Sequence, residues 1–169
     1  GGYTAKETLQ GSGFAELMAR QNMDDLSMED MRSCFEINTL GPLKVTKGLL
    51  GNMTSPGGKI AIITSLMGSI SDAGGGSYAY RASKAAVNML GVAISKDLTK
   101  KGISVSLIHP GMVATSFGGD NMPEQMAAMQ RPVDVSVKGV VEAIDAMTME
   151  NTGTFVHANY GDGLKPCPW

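Results

Sequence analysis

The feature that most restricts the fold is a pair of short runs, Lys59-Ile-Ala-Ile-Ile-Thr64 and Ile103-Ser-Val-Ser-Leu-Ile108, separated by one long helical stretch. The first run is apolar on both faces, which marks a strand buried on both sides within a parallel sheet. Between the runs, after Gly74-Gly75-Gly76, the spacing predicts a helix from about Tyr78 to Lys100 with Ser77 as its cap and Gly102 as its stop. Parallel neighbours need a crossover of this length, and such crossovers are right-handed. The expected class is therefore α/β, a parallel sheet with helices on both faces.

The remaining elements are placed around this unit. Ser27 before Met28-Glu-Asp30 reads as a cap followed by an acidic first turn, opening a helix that runs through Phe35, Ile37 and Leu40 into Leu49-Leu50. Gly41-Pro42 predicts a break or kink in it, because proline removes a backbone donor. Residues 1–26 read as loop with a short helix near Phe14 to Arg20, and Ser55-Pro-Gly-Gly58 as a turn. Ser116 to Pro132 reads as a Met- and Gly-rich loop with one helical turn, Val135 to Met149 as a helix, and Gly153 to Val156 as a last strand. All 169 residues are expected to form a single domain, incomplete at its N-terminal side. Net charge is −2 with no basic cluster, which argues against nucleic acid or an anionic membrane as partner. No apolar stretch is long enough to span a bilayer. Cys34 and Cys167 lack metal-ligand spacing, so no metal is expected, and the protein is placed in the cytoplasm. The chain opens Gly1-Gly2-Tyr3 without an initiator Met, which fits a processed or partial chain.

In open parallel sheets, ligands bind beyond the carboxyl ends of the strands. That rule selects Ser65 after the first strand, His109-Pro110-Gly111 after the second, and the start of the helix between them. The helix opens Tyr80-Arg-Ala-Ser-Lys84, and positions four apart share a face. A free phenol titrates near pKa ~10, and lowering that by about three units takes roughly 4 kcal/mol. A cation ~5 Å away at an effective dielectric of ~20 supplies on the order of 3 kcal/mol. Lys84 would thus supply most of what makes Tyr80 an acid/base catalyst. Tyr78 has Ala82 four residues on, so the same pairing is closed to it. Asn38, an amide inside the preceding helix, needs a reason to face the core.

Taken together, Asn38 in Ile-Asn-Thr-Leu-Gly, Ser65 in Ile-Ile-Thr-Ser, Tyr80-x-x-x-Lys84 and Pro110-Gly-Met-Val-Ala-Thr115 resemble the core motifs of the short-chain dehydrogenases/reductases. Ser77 to Leu90, with Tyr160-Gly-Asp-Gly and Pro168-Trp169, is most similar to the branch of sniffer-like carbonyl reductases and C-factor-like proteins. The resemblance implies the C-terminal portion of a doubly wound, Rossmann-type sheet and an oxidoreductase interconverting a carbonyl and an alcohol with NADP or NAD. By it, Tyr80 is the proton donor, Lys84 lowers its pKa and binds the nicotinamide ribose, Ser65 binds the substrate oxygen, and Asn38 holds a relay water. Pro110 and Gly111 shape the cofactor loop, and Val113 (through its backbone) and Thr115 hold the carboxamide. The family's Gly-rich dinucleotide loop and first strands would precede the part seen here. Gly11-Ser-Gly13 does not replace that loop, since no strand precedes it.

Several plainer readings stand beside these. Ser65 terminates a strand in any case, Ser69 and Ser71 are rivals farther from the strand end, and His109 reads as a packed histidine. Tyr78, Tyr160 and Trp169 read as packing groups, and the 13 scattered methionines as filler. In the long helix Val87, Leu90, Ile94 and Leu98 form one stripe and Ala82, Ala86, Met89 and Ala93 another. One stripe meets the sheet; the other meets a second copy, giving a homodimer, or the Phe35–Leu49 helix of the same chain. An interior-type strand at Lys59–Thr64 with no partner on one side predicts poor solubility or weak dinucleotide binding for this chain alone. The alternatives to the oxidoreductase are a truncated relative acting only through protein contacts, and a serine hydrolase using Ser65 and His109. The latter lacks the Gly-x-Ser-x-Gly elbow.

Overall fold

Ser27 opens a helix as its sequence demands: with extended φ −89° and ψ 122°, its hydroxyl accepts from the Asp30 N–H. The computed structural model describes residues 22–115, 122–159 and 163–169, so the short helix expected near Phe14 to Arg20, the Gly11–Gly13 loop and Tyr160 lie outside the described residues. Helix α1 spans Met28–Phe35 and runs into a π turn at Glu36–Leu40, after which α2 continues over Gly41–Leu49. The kink expected at Gly41-Pro42 is thus a widened turn just before it. Pro42 cannot donate to the Asn38 carbonyl, and Gly41 N–H reaches back five residues to Glu36 O.

Strand β1 is Lys59–Ile63, helix α3 is Tyr78–Leu98 and strand β2 is Ser104–His109. They form the expected unit, with β1 and β2 parallel and in register from Lys59 opposite Ser104 to Ile63 opposite Ile108. Two details of α3 differ from expectation. Ser77 stands at the cap position, but with φ 51° and ψ 37° its hydroxyl makes no cap bond. The left-handed backbone turns the side chain away from the N–H groups that a capping Ser would meet. The helix also ends at Leu98 and tightens into a 3-10 turn over Thr99–Lys101 before Gly102.

Beyond β2, α4 is the one helical turn expected, at Glu124–Ala127, and α5 runs Val133–Asp145. Helix α5 starts earlier and stops earlier than its apolar pattern suggested. Pro132 sets its start, and Asn151 closes its end by donating Nδ2 to Ala146 O at 2.8 Å. Lys59 Nζ adds bonds to Ile144 O (2.9 Å) and Asp145 O (2.8 Å), a cation on the exposed carbonyls of a helix C-terminus. Strand β3, Thr154–Asn159, pairs parallel to β2 and is longer than predicted; β4, Gly163–Pro166, pairs antiparallel to β3 and was not predicted. The sheet order is β1-β2-β3-β4.

The two faces of the sheet are covered by different helices. Ile62, Val105, Leu107 and Phe155 pack with Val87 and Leu98 of α3. Ile108, Val156 and Ala158 pack with Ala143 of α5. The doubly wound architecture read from the sequence is what the chain forms. Among the described residues β1 pairs only with β2, and Ile63 remains 46% exposed. No helix of the described residues is long and apolar enough to cross a membrane. Trp169, read as a packing group, packs only in part: its ring lies 5.5 Å from that of Phe155 and its carbonyl accepts from Ser71 N–H, but the residue is 49% exposed.

Candidate active site

The site forms where β1 and β2 end and α3 begins. Helical spacing sets Tyr80 and Lys84 one above the other, and the Lys84 ammonium lies 5.7 Å from the centroid of the Tyr80 ring. Both side chains are buried. Lys84 Nζ also donates to Ile63 O, the last residue of β1, at 3.3 Å. Burial pushes the Lys84 ammonium below its ordinary pKa, and the nearby Cys34 thiol partly opposes that.

Ser65 follows Ile63 by two residues and heads a 3-10 turn at Leu66–Gly68, its Oγ accepting from Met67 N–H at 3.2 Å. The turn presses onto α3 at Lys84. A Cβ on Gly68 would lie 2.7 Å from the Lys84 carbonyl carbon and 2.9 Å from its Cβ, so only glycine permits this approach. Ser65 is thereby bracketed by two contacts to Lys84, one through Ile63 and one through Gly68. The rivals Ser69 and Ser71 share a contact at 3.3 Å, and Ser69 Oγ accepts from Asp72 N–H, so they serve the loop's own turn.

Asn38 enters from the π turn. Its Nδ2 donates to Ser83 Oγ at 3.1 Å, Ser83 Oγ donates to Tyr80 O at 2.9 Å, and Thr39 Oγ1 donates to Ser83 O at 2.9 Å. The widened turn is what carries Asn38 and Thr39, both buried, to the first turn of α3. Asn38, Tyr80, Lys84 and the Ser65 turn are one connected set. Sequence reasoning missed Ser83, Thr39 and Gly68, whose signals are a hydroxyl inside the Tyr–Lys spacing, a hydroxyl beside Asn38, and a glycine three residues after Ser65.

Pro110, Gly111, Val113 and Thr115 leave the adjacent strand end. The loop is held from two sides. Ser136 Oγ of α5 donates to Pro110 O at 2.9 Å, and Val113 forms a parallel bridge with Arg131 through Arg131 N–H to Met112 O (2.8 Å) and Ala114 N–H to Arg131 O (3.0 Å). Gly111 takes φ 84° with Arg131 Nε 2.7 Å from where a Cβ would sit, so a side chain here would meet both backbone strain and a clash. The bridge turns Val113's own N–H and C=O to the opposite side. The C=O accepts from Thr115 N–H at 2.8 Å, while the N–H meets no acceptor among the described residues.

His109 stacks on His157, ring centroids 4.7 Å apart. Burial, followed by His157 and Arg131, pushes His109 down to about 4. Burial, with Arg131 and Lys165, lowers His157 as well. Among the described residues no hydrogen bond joins His109 to Ser65, and His109 Nδ1 is buried without a partner. His109 is the packed histidine of the plainer reading, and the Ser65–His109 pairing that a serine hydrolase needs is not made. No group of three or more His, Cys, Asp or Glu that could hold a metal occurs among the described residues.

Comparison with known proteins agrees with this architecture. The family model described as short chain dehydrogenase matches residues 10–127. The chain is 40% identical, over 86% of its length, to 1-hydroxy-2-glutathionyl-2-methyl-3-butene dehydrogenase of Rhodococcus sp., and spans 63% of that protein. It is 38% identical to C-signal of Myxococcus xanthus, covering 79% of this chain and 77% of that protein. Among solved structures, the NADPH-bound carbonyl reductase from chicken fatty liver superposes with a TM-score of 0.74 at 29% identity, over 89% of this chain and 59% of that one. The fold, the ordered motifs and these relatives together show that the chain belongs to the short-chain dehydrogenase/reductase family.

Proposed function

We propose that the protein carrying this chain is an NAD(P)-dependent oxidoreductase that interconverts a carbonyl and an alcohol, and that residues 1–169 are part of one Rossmann-type domain. The observation that carries the reading is the Lys84 ammonium 5.7 Å from the Tyr80 ring centroid at a buried strand end. An ammonium ~5 Å from a phenolate oxygen, at an effective dielectric of ~20, attracts it by on the order of 3 kcal/mol. Tyr80 gives its proton to the carbonyl oxygen in reduction and takes it back in oxidation. Ser65 holds that oxygen, and Asn38 holds a water that returns the proton from solvent.

The loop Pro110–Thr115 fits a nicotinamide carboxamide. The outward-facing Val113 N–H, which meets no acceptor among the described residues, is a ready donor to it, Thr115 lies beside it, and the close-packed Gly111 keeps the strand end clear of a side chain. When bound, the nicotinamide supplies the hydride. Lys84 would hold the nicotinamide ribose as well as acidify the phenol. NADP and NAD both suit these residues.

Two further expectations belong to this reading. The second stripe of α3 is open in the single chain, with Met89 69% exposed and Ala93 also exposed, and Ile37 on the π turn is 51% exposed. A second copy of the protein covers this surface, giving a homodimer. Cys34 and Cys167, both buried and in no disulfide among the described residues, suit the reducing cytoplasm. The test is Tyr80→Phe in the intact protein. Dinucleotide-dependent carbonyl reduction falls at least about a thousandfold while the melting curve is unchanged; unaltered turnover would refute the assignment.

A further inference from the structure

We propose that Asn88 and Thr64 form a positioning pair that sets the strand end from which the catalytic groups are held. The inference rests on the reading of Tyr80, Lys84 and Ser65 given above. Asn88 stands one turn beyond Lys84 and two beyond Tyr80 on α3, and Thr64 stands between Ile63 and Ser65. Thr64 Oγ1 donates to Asn88 Oδ1 at 2.6 Å, and both residues are buried, 3% exposed each. Helix and strand are therefore joined by two successive polar links, Lys84 Nζ to Ile63 O and Asn88 Oδ1 to Thr64 Oγ1.

The second link explains how the first holds its place. A lysine side chain has four rotatable bonds and would not by itself fix the Ile63 carbonyl. Threonine is stiff at χ1, and asparagine has a short side chain. Their bond lies out of water, where exchange with solvent does not weaken it. Thr64 N–H also donates to Ile108 O at 2.8 Å, extending the β1–β2 ladder past the end of β1. Thr64 is thus tied to β2 by its backbone and to α3 by its side chain. The residue before it meets Lys84, and the residue after it opens the turn that presses Gly68 onto Lys84.

Asn88 is also costly where it stands. Its Nδ2 is buried and has no hydrogen-bond partner among the described residues. An apolar side chain would avoid that desolvation, and Val87 beside it packs into the core cluster without one. What the amide gains in return is the bond to Thr64. It touches neither Tyr80 nor Lys84 through any hydrogen bond, so its effect on the reaction is indirect, through the strand end.

The experiment compares Thr64→Val, Thr64→Ser and Asn88→Leu in the intact protein, with two readouts. In the first, carbonyl reduction at saturating dinucleotide falls about tenfold or more in kcat for Thr64→Val and Asn88→Leu, with little change in dinucleotide affinity. Thr64→Ser, which keeps the hydroxyl, restores kcat to within about threefold of wild type. In the second, NMR titration of the lysine side-chain nitrogens moves the Lys84 transition to lower pH in Thr64→Val and leaves it in place in Thr64→Ser. The direction follows because losing the Ile63 carbonyl removes a group that stabilises the ammonium. Folded Thr64→Val and Asn88→Leu proteins with wild-type kcat, or a Lys84 transition identical in wild type, Thr64→Val and Thr64→Ser, would overturn the proposal. The NMR readout needs no turnover. Absence of redox activity in the wild type would thus refute the proposed function while still deciding the role of this pair.

Discussion

Helix α3 presents two halves to the same sheet, and they are built on different chemistry. From Tyr80 to Asn88 its buried positions are chiefly polar: Tyr80, Ser83, Lys84 and Asn88 meet Asn38, Thr39, the Ile63 carbonyl and Thr64. From Gly91 to Leu98 the contact is volume-filling. A Cβ on Gly91 would lie 2.4 Å from Leu107 Cδ2, Leu98 joins the core cluster, and Ser95 turns its hydroxyl back to Val92 O of its own helix. Each group in the polar half depends on one atom of another element, so a small displacement there changes chemistry. The apolar half depends on summed contact area and tolerates small shifts at the expense of stability.

The sharpest way to break this contrast is to damage the apolar half alone. Leu107 is fully buried against Gly91, and Leu107→Ala is expected to cost about 2–5 kcal/mol. Urea unfolding of the intact protein measures the loss, and turnover per folded molecule stays within about threefold. A proportional collapse of turnover would show that the two halves are not separable.

His109 tests the same division through pH. Its folded pKa is pushed down to about 4 by burial, His157 and Arg131, against ~6.5 in an unfolded chain. Between those values the unfolded state binds a proton that the folded state refuses, so stability falls as pH drops from ~6.5 toward 4, by at most on the order of 3 kcal/mol. His109→Gln flattens that slope in unfolding experiments across the window. A slope unchanged by the substitution would place the acid sensitivity elsewhere.

Gly68→Val drives a side chain toward the Lys84 backbone. It is expected to reduce kcat by roughly 10- to 100-fold and stability by about 1–3 kcal/mol. Rate and stability fall together here because the close approach belongs to the polar half. The smallest effect on folding comes from Met89→Arg on the open stripe of α3. Stability changes by less than about 0.5 kcal/mol, while sedimentation moves from dimer to monomer; a dimer that persists would place the second copy on another face.

How far each half could be read from the sequence follows from the same contrast. The β1–α3–β2 unit was legible because apolar periodicity reports burial directly. The Tyr80–Lys84 pair was legible because helical spacing fixes which residues share a face. The Ser27 cap was legible because its partner lies within the same turn. What was missed depends on partners distant in the chain. Thr64–Asn88 and Asn38–Ser83 are contacts across elements, invisible to local spacing. Strand β4 is a four-residue Gly-Leu-Lys-Pro segment with no alternation, which becomes a strand only because β3 is beside it. Ser77 carries a capping side chain but takes a left-handed backbone that no local preference for Ser predicts. Pro42 did mark an irregular helix, but the π turn that delivers Asn38 arises from the helix rewinding around the missing donor.

The claim on which the account turns is that the Lys84 ammonium makes the buried phenol beside it a stronger acid. It is tested most directly by the pH dependence of kcat for alcohol oxidation at saturating dinucleotide, in wild type and in Lys84→Met. The account predicts that the limb reporting loss of the catalytic proton moves to higher pH in the variant by roughly one to two units, the equivalent of about 3 kcal/mol at most. A limb at the same pH in both proteins would contradict it.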